Sequence, residues 1–73
     1  MQLDRRTRML YDDDHVFING DALRAGGRDA RLMRVLADRR WLGGRDAKTL
    51  SEEAMELVEQ WAGAGWLHPG VPG

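Results

Sequence analysis

The Asn19-Gly20 pair is the feature that most constrains what this chain can fold into. It lies between two short apolar runs, residues 16–18 and the pair Ala22-Leu23. Both central residues of a tight hairpin turn need a positive φ, which Asn tolerates and Gly adopts freely. An earlier apolar run at residues 9–11 is separated from the second by three aspartates. The chain is therefore expected to open as a small β-meander.

The organisation of the rest of the chain follows from this start. The predicted strands of the meander cover residues 7–11, 15–18 and 21–25. The Gly26-Gly27 pair then ends the sheet, and the pattern changes to helical spacing. The predicted boundaries are a disordered leader at residues 1–6, one domain at 7–68 and a disordered Gly/Pro tail at 69–73.

Three helices are expected after the meander, at residues 29–40, 46–50 and 51–64. Asp29, Asp46 and Ser51 stand where a side chain can accept an orphan backbone N–H of the first turn, so each is a predicted N-cap. The predicted buried stripes are Leu32, Val35 and Leu36 in the first helix, and Ala54, Met55, Val58, Trp61 and Ala62 in the third. Gly65 is expected to end the third helix, before a last strand at residues 66–68. The fold class is therefore α+β, a small winged-helix-like domain.

Composition limits the class of protein further. Seventy-three residues make one domain, and the absence of cysteine excludes disulfides and thiolate metal sites. That composition fits a reducing cytosol, and the expected location is cytoplasmic. The first 48 residues hold all eleven basic residues and eight acidic ones, a formal charge of +3, whereas the remainder holds four glutamates and no base.

Candidate metal and catalytic residues are few. Asp12, Asp13, Asp14 and His15 are consecutive, and alternate residues of a strand point to opposite faces, so a solvated acidic turn is expected. Iron in oxygenases needs two histidines and a carboxylate on one face, but only His15 and His68 exist, at opposite ends of the chain. Ser51 has no histidine partner in the pattern. We therefore predict no catalytic, cofactor-binding or metal-binding residue, and no enzymatic activity for this chain.

The second and third helices have the order of a helix-turn-helix unit, which raises the possibility of nucleic-acid binding. In such DNA readers the helix after the turn enters the major groove. Here that helix carries four glutamates, Gln60 and no base, which phosphates would repel. Specific DNA binding is not expected, although contact between RNA and a basic row on the first helix stays open.

A protein-interaction surface is the remaining candidate site. Opposite charges on the first and third helices favour oriented docking, and a partly exposed tryptophan can anchor an interface. The candidate residues are Arg28, Arg31 and Arg34 on the first helix, Glu52, Glu56 and Glu59 on the third, and Trp41.

Residues 7–68 resemble the small C-terminal winged-helix module of bacterial cupin-type 2-oxoglutarate oxygenases, the ribosomal-oxygenase group with JmjC-like cores. The resemblance is carried by Leu10-Tyr11, Val16-Phe17-Ile18-Asn19-Gly20, Ala22-Leu23, Leu36-Ala37 and Gly65-Trp66-Leu67. It implies a non-catalytic accessory module attached to an Fe(II)- and 2-oxoglutarate-dependent hydroxylase of ribosomal proteins. The cupin core and dimerisation helices of such enzymes are absent from this sequence, so no catalytic residue or cofactor carries over. The implied partner is a protein, either the cupin core or its ribosomal-protein substrate.

A second class of function stays open. Peptide-chaperone modules of peptide-modifying pathways share a three-stranded sheet followed by helices, and they bind a leader peptide as an added strand. The predicted strand at residues 21–25 offers such an edge. The long final helix pair of those modules is not found here.

Overall fold

Short strands and helices joined by short loops make up the computed structural model, which describes residues 1–70. In chain order the elements are β1 (Gln2–Leu3), β2 (Met9–Tyr11), β3 (His15–Ile18), β4 (Asp21–Arg24), α1 (Gly27–Arg39), α2 (Gly44–Ala47), α3 (Glu52–Gly63) and β5 (Leu67–His68). This order confirms the predicted α+β class with a meander, three helices and a closing strand.

The meander forms around the predicted turn. Asn19 and Gly20 have φ angles of 47° and 91°, and they join β3 to β4 with Ile18 opposite Asp21. β2, β3 and β4 form an antiparallel sheet in that order, so β4 lies at one edge. The Asn19 side chain also accepts a hydrogen bond from the backbone N–H of Arg8 at 2.9 Å. The turn thus fixes the register of all three strands.

The N-terminal residues correct the prediction of a disordered leader at residues 1–6. β1 pairs with β5, with Leu3 opposite Leu67, and both leucines are buried. The Leu3 N–H donates to the Arg40 carbonyl at 2.9 Å, and the Leu42 N–H donates to the Met1 carbonyl at 2.7 Å. A two-residue strand has no detectable period in the sequence, which is why it was missed. Of the predicted tail, residues 69–70 are exposed and 71–73 lie outside the described residues.

α1 begins two residues earlier than predicted, and Asp29 does not cap it. The N-cap is Gly26, without a side-chain hydrogen bond. Arg40 ends the helix in the left-handed conformation, with φ of 68°. Its guanidinium donates to the carbonyls of Asp4 and Thr7 at 2.9 and 2.8 Å. Arg40 therefore holds the turn at residues 4–7 against the end of α1.

α2 is one short turn whose N-cap is Gly43, so Asp46 is not the cap that was predicted. The Ser51 cap of α3 is confirmed, since its hydroxyl accepts from the Ala54 N–H at 3.2 Å. The same hydroxyl donates to Asp29 at 2.6 Å, and the Ser51 N–H donates to the other Asp29 oxygen at 3.0 Å. Asp29 therefore joins the beginning of α1 to the beginning of α3 instead of capping its own helix.

The core lies where the inner face of the sheet, α1, α3 and the β1–β5 pair meet. In α1 it uses Met33, whereas Val35 of the predicted stripe is only half-buried. Its buried members are Leu3, Met9, Val16, Ile18, Leu32, Met33, Leu36, Leu42, Leu50, Ala54, Val58, Trp61 and Leu67. None of the helices between residues 1 and 70 has the length and apolar character needed to cross a bilayer.

The packing of β1 can be tested with two leucines of contrasting burial. Leu3 is 6% exposed and Leu10 is 69% exposed. We expect Leu3→Ala to lower the free energy of unfolding by about 2 kcal/mol or more, because buried Leu→Ala changes cost ~2–5 kcal/mol. That is a large share of the ~3–5 kcal/mol that a core of this size supplies. Urea denaturation measures the change.

Leu10→Ala is the matched control, and it should leave the denaturation midpoint nearly unchanged, because Leu10 contributes little to the core. Equal effects of the two substitutions would contradict the placement of β1 in the core.

Candidate protein-interaction site

The basic row on α1 is less uniform than its spacing suggests. Arg28 and Arg31 are exposed, but Arg34 is half-buried and lies against the meander. The Arg34 guanidinium carbon is 5.6 Å from the centre of the Tyr11 ring, a cation–π distance, and its Nη2 is 3.4 Å from the Asp13 carbonyl. Arg34 thus has a structural contact, and Arg28 and Arg31 are the freely presented members of the row.

Tyr11 links the same part of the sheet to α1. Its hydroxyl donates to the Asp38 carboxylate, at 2.9 Å from one oxygen and 3.1 Å from the other. This hydrogen bond to a carboxylate raises the pKa of Tyr11, because ionising the phenol would remove the donor and place two negative charges together.

The acidic residues of α3 are all presented to solvent. Glu52, Glu53, Glu56 and Glu59 are exposed. Within residues 1–70 no Lys or Arg nitrogen lies within 4.0 Å of any of their carboxylates. The Asp29–Ser51 hydrogen bonds bring the N-terminal ends of α1 and α3 together. These bonds join Asp29, the neighbour of Arg28, to Ser51, the neighbour of Glu52.

The three tryptophans have different environments. Trp61 is 4% exposed and belongs to the core. Trp41 is half-buried beside the chain start, where it forms a bridge with Gln2, and Trp66 is half-buried just before β5. Trp41 thus keeps the partial exposure that its proposed role as an anchor requires. Contact of Trp41 and of the charged rows with a partner stays a prediction.

Each histidine has a separate carboxylate neighbour. His15 Nδ1 is 3.7 Å from Asp12, and His68 Nε2 is 2.8 Å from Asp4. Among residues 1–70 no three side chains of His, Cys, Asp or Glu form a group that could hold a metal ion. The residues present do not fit the two-histidine, one-carboxylate set of a non-haem iron centre.

The acidic segment at residues 12–14 is a turn, as predicted. One Asp12 oxygen accepts from the N–H groups of Asp14 and His15, at 2.9 and 2.7 Å. These two donors lower the pKa of Asp12, because they stabilise its ionised form. One oxygen of the Asp12 carboxylate thus organises its own turn.

A groove lies between β4 and α3. It has a volume of about 450 Å³, and its lining comprises Asp21, Ala22, Leu23, Leu57, Gln60, Trp61, Ala64 and Trp66. A smaller cavity of about 140 Å³ shares Leu23 and Leu57 with it and reaches Arg24, Asp29 and Glu53. The two together follow β4 along its length.

Sequence reasoning identified the edge of this groove at residues 21–25 but missed its other wall. The available signal was the series Leu57, Trp61 and Ala64, which repeats at intervals of four and three residues along α3. That series is a second apolar stripe beside the core stripe. It was overlooked because Trp61 belongs to both and was assigned to the core alone.

A meander, a short second helix followed by a capped third helix, and a closing strand define a winged-helix domain. A family model described as ROXA-like winged helix matches residues 1–68. The chain belongs to this family, which confirms the resemblance to the winged-helix module of ribosomal oxygenases. No curated protein and no solved structure matches the chain.

The Asp4–His68 contact predicts a pH dependence of stability. The hydrogen bond to His68, and then that from the Arg6 N–H, lower the pKa of Asp4 below 3.8. A lowered pKa in the folded state adds stability above pH 3.8, and this is lost as the pH falls through the lowered value. Asp4→Asn should therefore lower the melting temperature at pH 6, and the difference should shrink toward pH 2.

Asp13→Asn is the control, because it removes an exposed carboxylate whose side chain accepts no hydrogen bond within residues 1–70. A difference between wild type and Asp4→Asn that stays constant from pH 6 to pH 2 would show that the Asp4 carboxylate has no linked role.

The acidity of α3 predicts that this domain does not bind DNA through that helix. A fluorescence titration of duplex DNA at moderate salt should show no saturable binding. The triple variant Glu52→Lys, Glu56→Lys and Glu59→Lys should gain weak binding that falls with salt, because phosphate attraction is salt-dependent. Tight binding by the wild type that is lost in Gln60→Ala would overturn the prediction.

Proposed function

We propose that this winged helix is a non-catalytic accessory module that docks protein within a cupin-type Fe(II)- and 2-oxoglutarate-dependent hydroxylase of ribosomal proteins. Membership of the ROXA-like winged-helix family supports the link to such an enzyme. Winged-helix domains in general supply a binding surface rather than reacting groups. The cytoplasm remains the proposed location, since ribosomal proteins are made there.

The observation that carries the proposal is the unpaired acidic face of α3. Four exposed glutamates have no basic partner within 4.0 Å in residues 1–70. Like charges four residues apart on a helix repel each other, so Glu52 and Glu56 slightly lower the stability of α3. A partner with complementary charge removes that repulsion and is steered toward the face.

The basic end of α1 gives this docking a direction. Arg28 and Arg31 are exposed, and the Asp29–Ser51 contact places their end of α1 next to the start of α3. A partner that spans both helices meets positive charge on one side and negative charge on the other. Two signs on one surface favour a single orientation of the bound partner.

Iron and 2-oxoglutarate chemistry belongs to the rest of the proposed enzyme. The two histidines of this chain each face one aspartate in separate places. No step of hydroxylation is therefore assigned to these residues. In the proposal, the module positions the cupin core or the ribosomal-protein substrate, and both are proteins.

Chemical-shift mapping of the ¹⁵N-labelled chain against the matching cupin domain, and separately against a ribosomal-protein substrate, tests the proposal. We expect shifts at Arg28 and Arg31 or along residues 52–59. Glu52→Lys with Glu59→Lys should weaken binding about ten-fold or more, since charge complementarity is lost.

Arg45→Glu with Lys48→Glu is the matched control, because it reverses two charges on and beside α2, outside both rows. If neither protein shifts either row, or if the control weakens binding as much as the α3 variant, docking through these faces is refuted.

A further inference from the structure

The groove between β4 and α3 is a surface separate from the charged rows of α1 and α3. We propose that an extended protein segment with an apolar centre and basic ends adds to β4 as a fourth strand and fills this groove. The inference rests on the protein-docking function and names the chemistry of the segment that is bound. Two of the four residues of β4 point their backbone hydrogen-bonding groups away from the sheet.

The backbone of β4 has a free edge, and the pairing of β3 shows which groups face it. The Asn19 N–H bonds the Arg8 carbonyl and the Asp12 N–H bonds the His15 carbonyl, so odd-numbered residues of β3 face β2. Val16 and Ile18 therefore face β4, where they pair with Leu23 and Asp21. The N–H and C=O groups of the alternate residues, Ala22 and Arg24, must point away from the sheet.

The groove lies along this free edge. Ala22 and Leu23 both line it, although successive residues of a strand point to opposite faces of the sheet. A cavity over one face would contact only one of the two. The groove and the outward-pointing backbone groups are thus on the same side of β4, which is the arrangement that strand addition requires.

The walls of the groove suit apolar side chains. Trp61 is the most buried residue of the lining, and Leu23, Leu57 and Trp66 are half-buried. An added strand offers every second side chain to such a wall. Burying these remaining apolar surfaces is favourable at ~25 cal/mol per Å².

The charges that line the groove indicate which charges the bound segment carries. Asp21 lies at one end, and Asp29 and Glu53 line the other, against the single base Arg24. The shared centre, Leu23 and Leu57, is apolar. A segment with Lys or Arg at both ends and aliphatic residues between them therefore matches the groove in sign and in order.

The same charges argue against a second copy of this chain as the occupant. The edge strand of another copy has the sequence Asp-Ala-Leu-Arg, so it would bring one base and one further acid, whereas the acids at both ends of the groove call for a base at each end. A phosphate backbone is disfavoured for the same reason.

The test uses the 73-residue chain and a synthetic peptide of four valines between paired lysines. We expect saturable binding, with amide shifts at residues 21–25 and 57–66. Amide hydrogen exchange gives the specific readout: Ala22 and Arg24 exchange rapidly in the free chain and become protected on binding, whereas Leu23 is protected in both states.

Two altered peptides separate the contributions. Replacing the lysines by glutamates should weaken binding about ten-fold or more, because the ends then repel the acids of the groove. N-methylation of the peptide amides that face β4 should weaken binding and thereby reduce the protection of Ala22 and Arg24, since the peptide then lacks the donors to the carbonyls of these two residues. Both changes leave the protein intact, so neither result depends on a variant that folds.

Ala22→Pro tests the protein side. Proline is tolerated at an edge position whose N–H faces outward, and it removes one donor to the added strand. The variant should bind the lysine peptide several-fold more weakly, whereas Leu10→Ala, an exposed change on the opposite edge strand β2, should bind it as the wild type does.

Saturable binding without protection of Ala22 and Arg24, equal binding of the lysine and glutamate peptides, or no binding would each overturn the inference. Concentration-dependent dimerisation with protection of the same amides would assign the edge to a second copy instead. The cupin-domain mapping is unaffected by these outcomes, so failure of the groove and failure of charged-face docking are distinguishable.

Discussion

The pairing of the two ends of the domain is the constraint on which the other contacts depend. β1 and β5 are two residues each, yet Leu3 and Leu67 bury their side chains beside one another. The Trp66 carbonyl accepts from the Asp4 N–H at 2.8 Å and from the buried Thr7 hydroxyl at 2.6 Å. These bonds hold the end of α3 against the start of the meander. Together with the core contacts of α3, they set its distance from β4 and so the width of the groove.

The local elements of this fold could be predicted, and the long-range ones could not. Asn19-Gly20 and the Ser51 cap each depend on residues within three positions, so their residue types were sufficient. The missed features join distant residues: β1 with β5, and Asp29 with Ser51. Asp29 has the right chemistry for a cap, but its carboxylate instead accepts hydrogen bonds from the N–H and the hydroxyl of Ser51. A residue type records what a side chain can do, and tertiary structure decides which partner it meets.

The candidate site follows the same division. Exposure of the α3 glutamates could be predicted from their density, because no fold of this size can bury four of them unpaired. The engagement of Arg34 by Tyr11 depends on how α1 packs on the sheet, so spacing alone did not reveal it. The groove depends on the separation of two elements, which no periodicity encodes. Family membership and geometry therefore give complementary information: one gives the class of domain and the other gives the surface it presents.

An unpaired strand edge beside an apolar groove is also the part of this domain most exposed to aggregation. β4 is only four residues long, and its two ends are charged, with Asp21 before and Arg24 after the apolar pair. In-register parallel stacking of two such edges would place like charges opposite each other, which disfavours it. The residues that would set recognition of a partner are thus the ones that keep the free chain from self-association. Stronger binding obtained by making this edge more apolar would come at the expense of solubility, which limits how far its affinity can evolve.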